Sequence, residues 1–229
     1  GRPSIGSASG GNRSISVAWT PGADNGTAVT GYAVRAYDKS GALAGTGCIG
    51  GSDLRSCTIT GLANGSAYLV KIEATNAMGT ATYDVDTITP LTTPGSPTSL
   101  VVLAGNQQVE ATWVAPADNG GSPLTGYLAT AYNTDGSVAA TCSTTDATST
   151  SCTLSGLTNG SAYTVKVVAT SIVGSSAPST LSPAVTPATK PGVPQSTATT
   201  ASSRSVKVTW QAPASDGGAA VTSYVATAT

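Results

Sequence analysis

The sequence contains no histidine, no phenylalanine and a single methionine, and only 9% of its 229 residues are charged. Without histidine the commonest general base is missing, which excludes the usual catalytic triads. It also leaves zinc without its imidazole ligands, and no paired C-x₂-C spacing replaces them. Ten basic against eleven acidic residues give a formal net charge of −1, so no electrostatic drive favours nucleic acid or an anionic membrane. No apolar run approaches the ~20 residues of a membrane-spanning helix, and membrane insertion is not expected. No glycine-rich phosphate loop follows a strand and opens a helix. Among the acids only Asp84 and Asp86 stand close together, and their alternation reads as a solvated strand face. The chain is therefore expected to be non-enzymatic, with no cofactor and no metal. The sequence opens on neither a signal-peptide pattern nor an initiator Met, its one methionine being Met78, and is expected to be a mature product or an excised segment.

What is present is repetition. Trp19, Trp113 and Trp210 recur with Tyr32, Tyr127 and Tyr224 behind each. The frame "CTITGLANGSAYLVKIEATNAMG" from Cys57 returns as "CTLSGLTNGSAYTVKVVATSIVG" from Cys152. Proline-rich joints also repeat, at Pro90, Pro94 and Pro97 and again at Pro187, Pro191 and Pro194. A period of about 95 residues is the size of a domain, not of a solenoid unit. The organisation expected is a domain over 1–90, a linker over 91–97, a domain over 98–187, a linker over 188–194, and the first part of a third domain over 195–229. Within the repeats Ile15, Val17 and Trp19 alternate with polar residues, as do Val109, Ala111 and Trp113, and Val206, Val208 and Trp210. Tyr68, Val70, Ile72 and Ala74 share a face, as do Tyr163, Val165, Val167 and Ala169. Period-two alternation between turn clusters such as "PGADNGT", "PADNGGSP" and "PASDGG" predicts short half-buried strands. The fold class is all-β, a tandem of β-sandwiches, two complete and one partial.

The Trp of the second strand, the Tyr of the third, the "GLxNGSAY" frame and the proline joints together resemble tandem fibronectin type III domains, in the low-charge form of bacterial secreted and surface proteins. The resemblance implies seven strands per domain in two sheets with Greek-key order. It also implies a role for the repeated frame: Leu62 and Leu157 plug the end of the core, Asn64-Gly65 and Asn159-Gly160 supply a tight turn, and Tyr68 and Tyr163 lock a tyrosine corner through their hydroxyls. It implies no activity, because the fold serves stalks, adhesins and enzyme appendages alike.

Each repeat carries its own cysteine pair, Cys48 with Cys57 and Cys142 with Cys152, so the local pairing is favoured among the three that four cysteines allow. Under the family's strand order each bond would join strands of opposite sheets and staple one lateral edge. Bridges are not part of the common family pattern, and they argue for an extracellular, oxidising location. The loops at Asp24 and Asn25, Asp118 and Asn119, and Asp216 offer too few carboxylates for calcium and read as turns, yet loop ends of such a sandwich are where a binding surface would be built. The Asn-x-Ser/Thr triplets at Asn12, Asn25, Asn64 and Asn159 read as the by-product of Gly- and Ser/Thr-rich turns. Three functions follow: a structural spacer of a secreted or surface protein; a subunit of an extracellular filament whose partial domain is completed by a neighbouring chain; and an accessory module of a polysaccharide-degrading enzyme. Neighbouring repeats or identical chains are the expected partners, with carbohydrate the alternative through Tyr37, Tyr83 or Tyr132.

Overall fold

The structure, a computed structural model, describes residues 1–227, and every regular element among them is a β-strand. The first repeat folds into β1 (Ser4–Gly11), β2 (Ser14–Thr20), β3 (Gly31–Tyr37), β4 (Leu43–Gly51), β5 (Ser56–Thr60), β6 (Tyr68–Asn76) and β7 (Gly79–Ile88). Strand alternation explains the core directly. Ile15, Val17 and Trp19 of β2, Tyr32, Val34 and Ala36 of β3, and Tyr68, Val70, Ile72 and Ala74 of β6 are all buried, while the residues that alternate with them are half-buried or exposed. Leu62 closes the core at the turn before β6. Trp19 and Tyr32 pack with tilted rings, centroids 5.6 Å apart, a geometry that suits their ring quadrupoles.

The first repeat has the two layers that the resemblance implies, β1-β2-β5 and β4-β3-β6-β7, joined at one edge. A single bridge, Thr46↔Thr60, ties β4 to β5, so the strands run continuously in the order β1-β2-β5-β4-β3-β6-β7. β4 pairs with β3 over most of its length and reaches β5 only at that bridge.

The second repeat contains β8 (Thr98–Gly105), β9 (Gln108–Val114), β10 (Leu124–Tyr132), β11 (Val138–Ser143), β12 (Ser151–Ser155), β13 (Thr164–Ser171) and the two-residue β14 (Gly174–Ser175). Here the layers are distinct, β12-β9-β8 against β11-β10-β13-β14. Val109, Ala111, Trp113, Tyr127, Leu154, Leu157 and Tyr163 fill the space between them. The full last strand implied by the family pattern is not formed. Pro178 and Pro183 lack the N–H groups a ladder needs, and the segment between them bonds through serine instead. Ser179 donates its N–H to the Val167 carbonyl at 2.8 Å and accepts the Val167 N–H on its hydroxyl at 3.0 Å. Ser182 does the same with Val165, at 3.0 and 2.9 Å. An isolated bridge, Tyr163↔Val185, completes the edge.

Beyond them in sequence lie β15 (Gln195–Ser202) and β16 (Ser205–Gln211), which among the described residues pair only with each other. The expected core residues Trp210 and Tyr224 stack at 5.6 Å, but they are 38% and 39% exposed. That departs from the core assignment, and the cause is plain: among the described residues no second layer covers this hairpin.

The chain forms two compact units. The first comprises Gly1–Gly95 with Ala117–Leu124 and Thr170–Ser176; the second comprises Ser96–Pro116, Thr125–Ala169 and the chain from Ala177 onward.

Candidate functional site

Both expected disulfides are formed. Cys48 of β4 joins Cys57 of β5 with Cα atoms 5.8 Å apart, and Cys142 of β11 joins Cys152 of β12 with Cα atoms 6.2 Å apart. The sequence logic is parity: Cys57 shares a face with the buried Ile59 and is itself only 4% exposed, whereas Cys152 is half-buried. In the second repeat the bond crosses from one sheet to the other, and in the first it reinforces the edge already closed by Thr46↔Thr60.

The tyrosine corner also takes the expected form. The Tyr68 hydroxyl accepts the backbone N–H of Ala63, and the Tyr163 hydroxyl accepts that of Thr158, each at 3.0 Å. Around it lies a contact that the sequence reading did not include. Asn64 accepts the Arg13 N–H on Oδ1 at 2.7 Å and donates from Nδ2 to the Asn12 side chain at 2.9 Å. Asn159 repeats both bonds, with Gln107 at 2.7 Å and Asn106 at 2.8 Å. The asparagine of each Asn-Gly turn therefore clips the β1–β2 or β8–β9 hairpin to the corner. Arg13 and Gln107 both hold positive φ, 53° and 55°, which leaves their N–H groups free of the ladder and aimed at the clip. The only local signal was an Asn at the same place in both hairpins, Asn12 and Asn106.

The proline-rich joints are hydrogen-bonded, and by the same three bonds each time. In the first unit Gly65 donates to the Pro90 carbonyl, Thr92 to Gly120 and Gly95 to Asp118, each at 2.9 Å. In the second unit Gly160 donates to Pro187 at 2.9 Å, Thr189 to Gly217 at 2.8 Å and Gly192 to Ser215 at 2.9 Å. The loops singled out in the sequence thus have their backbones engaged at Asp118–Gly121 and Ser215–Gly218, while Asp118 and Asn119 keep exposed side chains. Gly121 holds φ +84°, and a Cβ there would strike the backbone nitrogen of Gly65 and the carbonyl carbon of Asn64. Gly218 stands in the same relation to Gly160 and Asn159. Glycine is required by the close approach as well as by the turn. Gly121→Ala is expected to weaken this packing by on the order of 1–2 kcal/mol. Limited proteolysis checks it: the variant should be cut within Leu91–Pro97 under conditions where the parent is not.

Asp24 and Asn25 lie in an exposed turn closed by a 3.2 Å bond from the Thr27 N–H to the Asp24 carbonyl. The three tyrosines considered for sugar contact are half-buried on different strands, β3, β7 and β10. Tyr37 lies under the Lys71 ammonium, 5.6 Å from its ring centre, and Lys71 also pairs with Asp84 at 3.3 Å. Arg35 pairs with Glu73 on the same outer face. No cluster of three metal-ligating side chains occurs among the described residues.

Three loop aspartates, Asp38, Asp135 and Asp146, carry the strongest local electrostatics. Hydrogen bonds from Thr148 and Ser149, first through their hydroxyls and then through their N–H groups, hold Asp146 well below the usual carboxylate range. Ser40 and Ser137 lower Asp38 and Asp135 in the same way. Burial, and then the negative charge of Asp146, pushes the Tyr127 hydroxyl up. A lowered carboxylate stabilises the fold fully above its unfolded value and loses that contribution as pH falls through the folded value; a raised tyrosine contributes below its unfolded value and loses it as pH rises. Because the chain has no histidine and its four cysteines are bridged, stability should be flat from about pH 5 to about pH 7 and decline as the aspartates are protonated below that window. Urea midpoints measured across pH check this, and a slope between those limits would contradict it.

The sequence profile of the fibronectin type III domain matches residues 2–88 and 95–185. Among curated proteins, a Kelch domain-containing protein of Saccharolobus solfataricus is 31% identical over 83% of this chain and 25% of its own length. Chitinase A1 of Niallia circulans is 33% identical over 70% of this chain and 22% of its own. Exoglucanase B of Cellulomonas fimi is 33% identical over 91% of this chain and 19% of its own. The chain thus spans a quarter or less of these relatives.

Proposed function

This chain belongs to the fibronectin type III domain family, and from that premise we propose that it is a non-catalytic spacer array of a secreted or cell-surface protein. The observation that carries the proposal is the recurrence of the same three backbone bonds at both proline-rich segments. A segment meant as a loose tether needs no such bonds, since a flexible linker leaves its backbone to water. Proline adds to the effect by restricting φ on either side of the bonded glycines and threonines. The two disulfides support an extracellular, oxidising setting, and the two bacterial polysaccharide-enzyme relatives support a secreted bacterial parent. Neighbouring repeats or identical chains are its expected protein partners.

A second function, an accessory module of a polysaccharide-degrading enzyme, is favoured by the names of those same two relatives. Against it stands the scatter of Tyr37, Tyr83 and Tyr132 over separate strands, because sugar-binding faces set aromatics in a row. Co-sedimentation with insoluble chitin and cellulose separates the two. The spacer stays in the supernatant; retention on either polysaccharide would overturn it in favour of the accessory module.

A further inference from the structure

Four Asn-Gly pairs occur in the chain, at Asn25, Asn64, Asn119 and Asn159, and the fold holds one of them differently from the rest. We propose that Asn25 is a covalent modification site, converting without an enzyme to aspartate and isoaspartate in the folded protein, while the other three are shielded by their hydrogen bonds.

In this reaction the Gly26 backbone nitrogen gives up its proton to water and attacks Cγ of Asn25. A C–N bond forms, the Cγ–Nδ2 bond breaks, and the amide leaves as ammonia after taking up a proton. Water then opens the resulting cyclic imide at either carbonyl. Water is the sole co-reactant, and the product carries one additional negative charge. The step needs a following N–H that is not donated elsewhere, a side-chain amide that is free to turn, and room at the next residue.

Those needs are met at Asn25 alone. Its turn is exposed and closed by the single Asp24–Thr27 bond, and it holds φ 52° before Gly26 at φ 88°. Among the described residues no atom lies within 4 Å of where a Cβ on Gly26 would stand. Asn64, by contrast, is bonded at both ends of its amide, to Arg13 and Asn12, and the Gly65 N–H is donated to Pro90. Asn159 is fixed identically by Gln107 and Asn106, with Gly160 donated to Pro187. At Asn119 the buried Gly120 donates its N–H to Asp118 Oδ1 at 2.8 Å, and Asn119 Oδ1 accepts the Gly121 N–H at 2.9 Å. The third repeat shows that this loop position accepts an acid: Asp216 stands where the second repeat has Asn119, and its Oδ1 accepts the Gly218 N–H at 2.9 Å. Conversion at Asn25 therefore adds charge at the tip of a loop without removing any bond that holds the sandwich.

The test is incubation of the intact, disulfide-bonded chain in mildly alkaline buffer, followed by tryptic mapping with separation of aspartate from isoaspartate. The peptide Ser14–Arg35 should convert at Asn25, with both products present. Each protecting bond shifts an opening equilibrium by up to about tenfold, so Asn64 and Asn159 should convert at least roughly tenfold more slowly. In urea with reductant all four should convert at comparable rates. Asn12→Ala, which frees one end of the Asn64 amide, should speed conversion at Asn64 and leave Asn25 unchanged. Equal rates at the four sites in the folded protein would overturn the proposal. So would an intact Asn25 over the time in which the unfolded chain converts.

Discussion

Replacing Trp113 by alanine should destabilise the second repeat by about 3–5 kcal/mol. Trp113 is 4% exposed and packed 5.3 Å from Tyr127, with Val109 and Ala111 on the same strand face. Removing a buried indole leaves a cavity that a close-packed sandwich cannot fill. In calorimetry, at about 4–8 °C per kcal/mol for a domain of this size, the second repeat's transition should fall by roughly 12 °C or more in Trp113→Ala. The first repeat's transition should hold its place.

The second large effect belongs to the disulfides. Replacing Cys48 and Cys57 together by alanine should cost the first repeat about 2.5–3 kcal/mol, and the Cys142/Cys152 pair should cost the second a similar amount. The bonds close loops of nine and ten residues, so the entropy removed from the unfolded chain is modest and nearly equal in the two repeats. Alanine is the informative replacement, because serine would place a hydroxyl at the buried Cys57 position and confuse the loss of a cross-link with an unpaired polar group. Denaturant midpoints of each double variant, compared with those of the reduced parent, check the value. Agreement between variant and reduced parent assigns the loss to the cross-link itself. The Thr46↔Thr60 bridge beside the first bond still ties that edge when the sulfurs are gone, so the first repeat should refold without its bond.

How much of this was legible in sequence depended on distance along the chain. The core faces were legible because alternation writes burial directly into neighbouring residues, and Tyr32, Val34, Ala36 or Tyr163, Val165, Val167 needed no partner to be identified. The cysteine pairs were legible because each falls within its own repeat and Cys57 has core parity. The tyrosine corner was legible through the repeated frame. The Asn12–Asn64 and Asn106–Asn159 clips were not, since they join residues about fifty positions apart whose only shared feature is an unremarkable turn asparagine. The second glycine of "DNGG" read as turn chemistry, yet its backbone contact with the Asn64-Gly65 turn also requires it. The broken last strand of the second repeat did carry a signal in Pro178 and Pro183. The bridge that fuses the layers of the first repeat carried none, for a single threonine pair looks like any other.

Amide hydrogen exchange at the joints is the most direct measurement of whether these proline-rich segments are folded parts of the array. Gly65, Thr92 and Gly95 in the first joint, and Gly160, Thr189 and Gly192 in the second, each donate to a carbonyl. Their amides should exchange far more slowly than those of an unstructured peptide, and Gly121→Ala should release Thr92 and Gly95 while leaving the β6 amides protected. Exchange of all six at unprotected rates in the parent protein would contradict the bonded joint, and with it the spacer that depends on it.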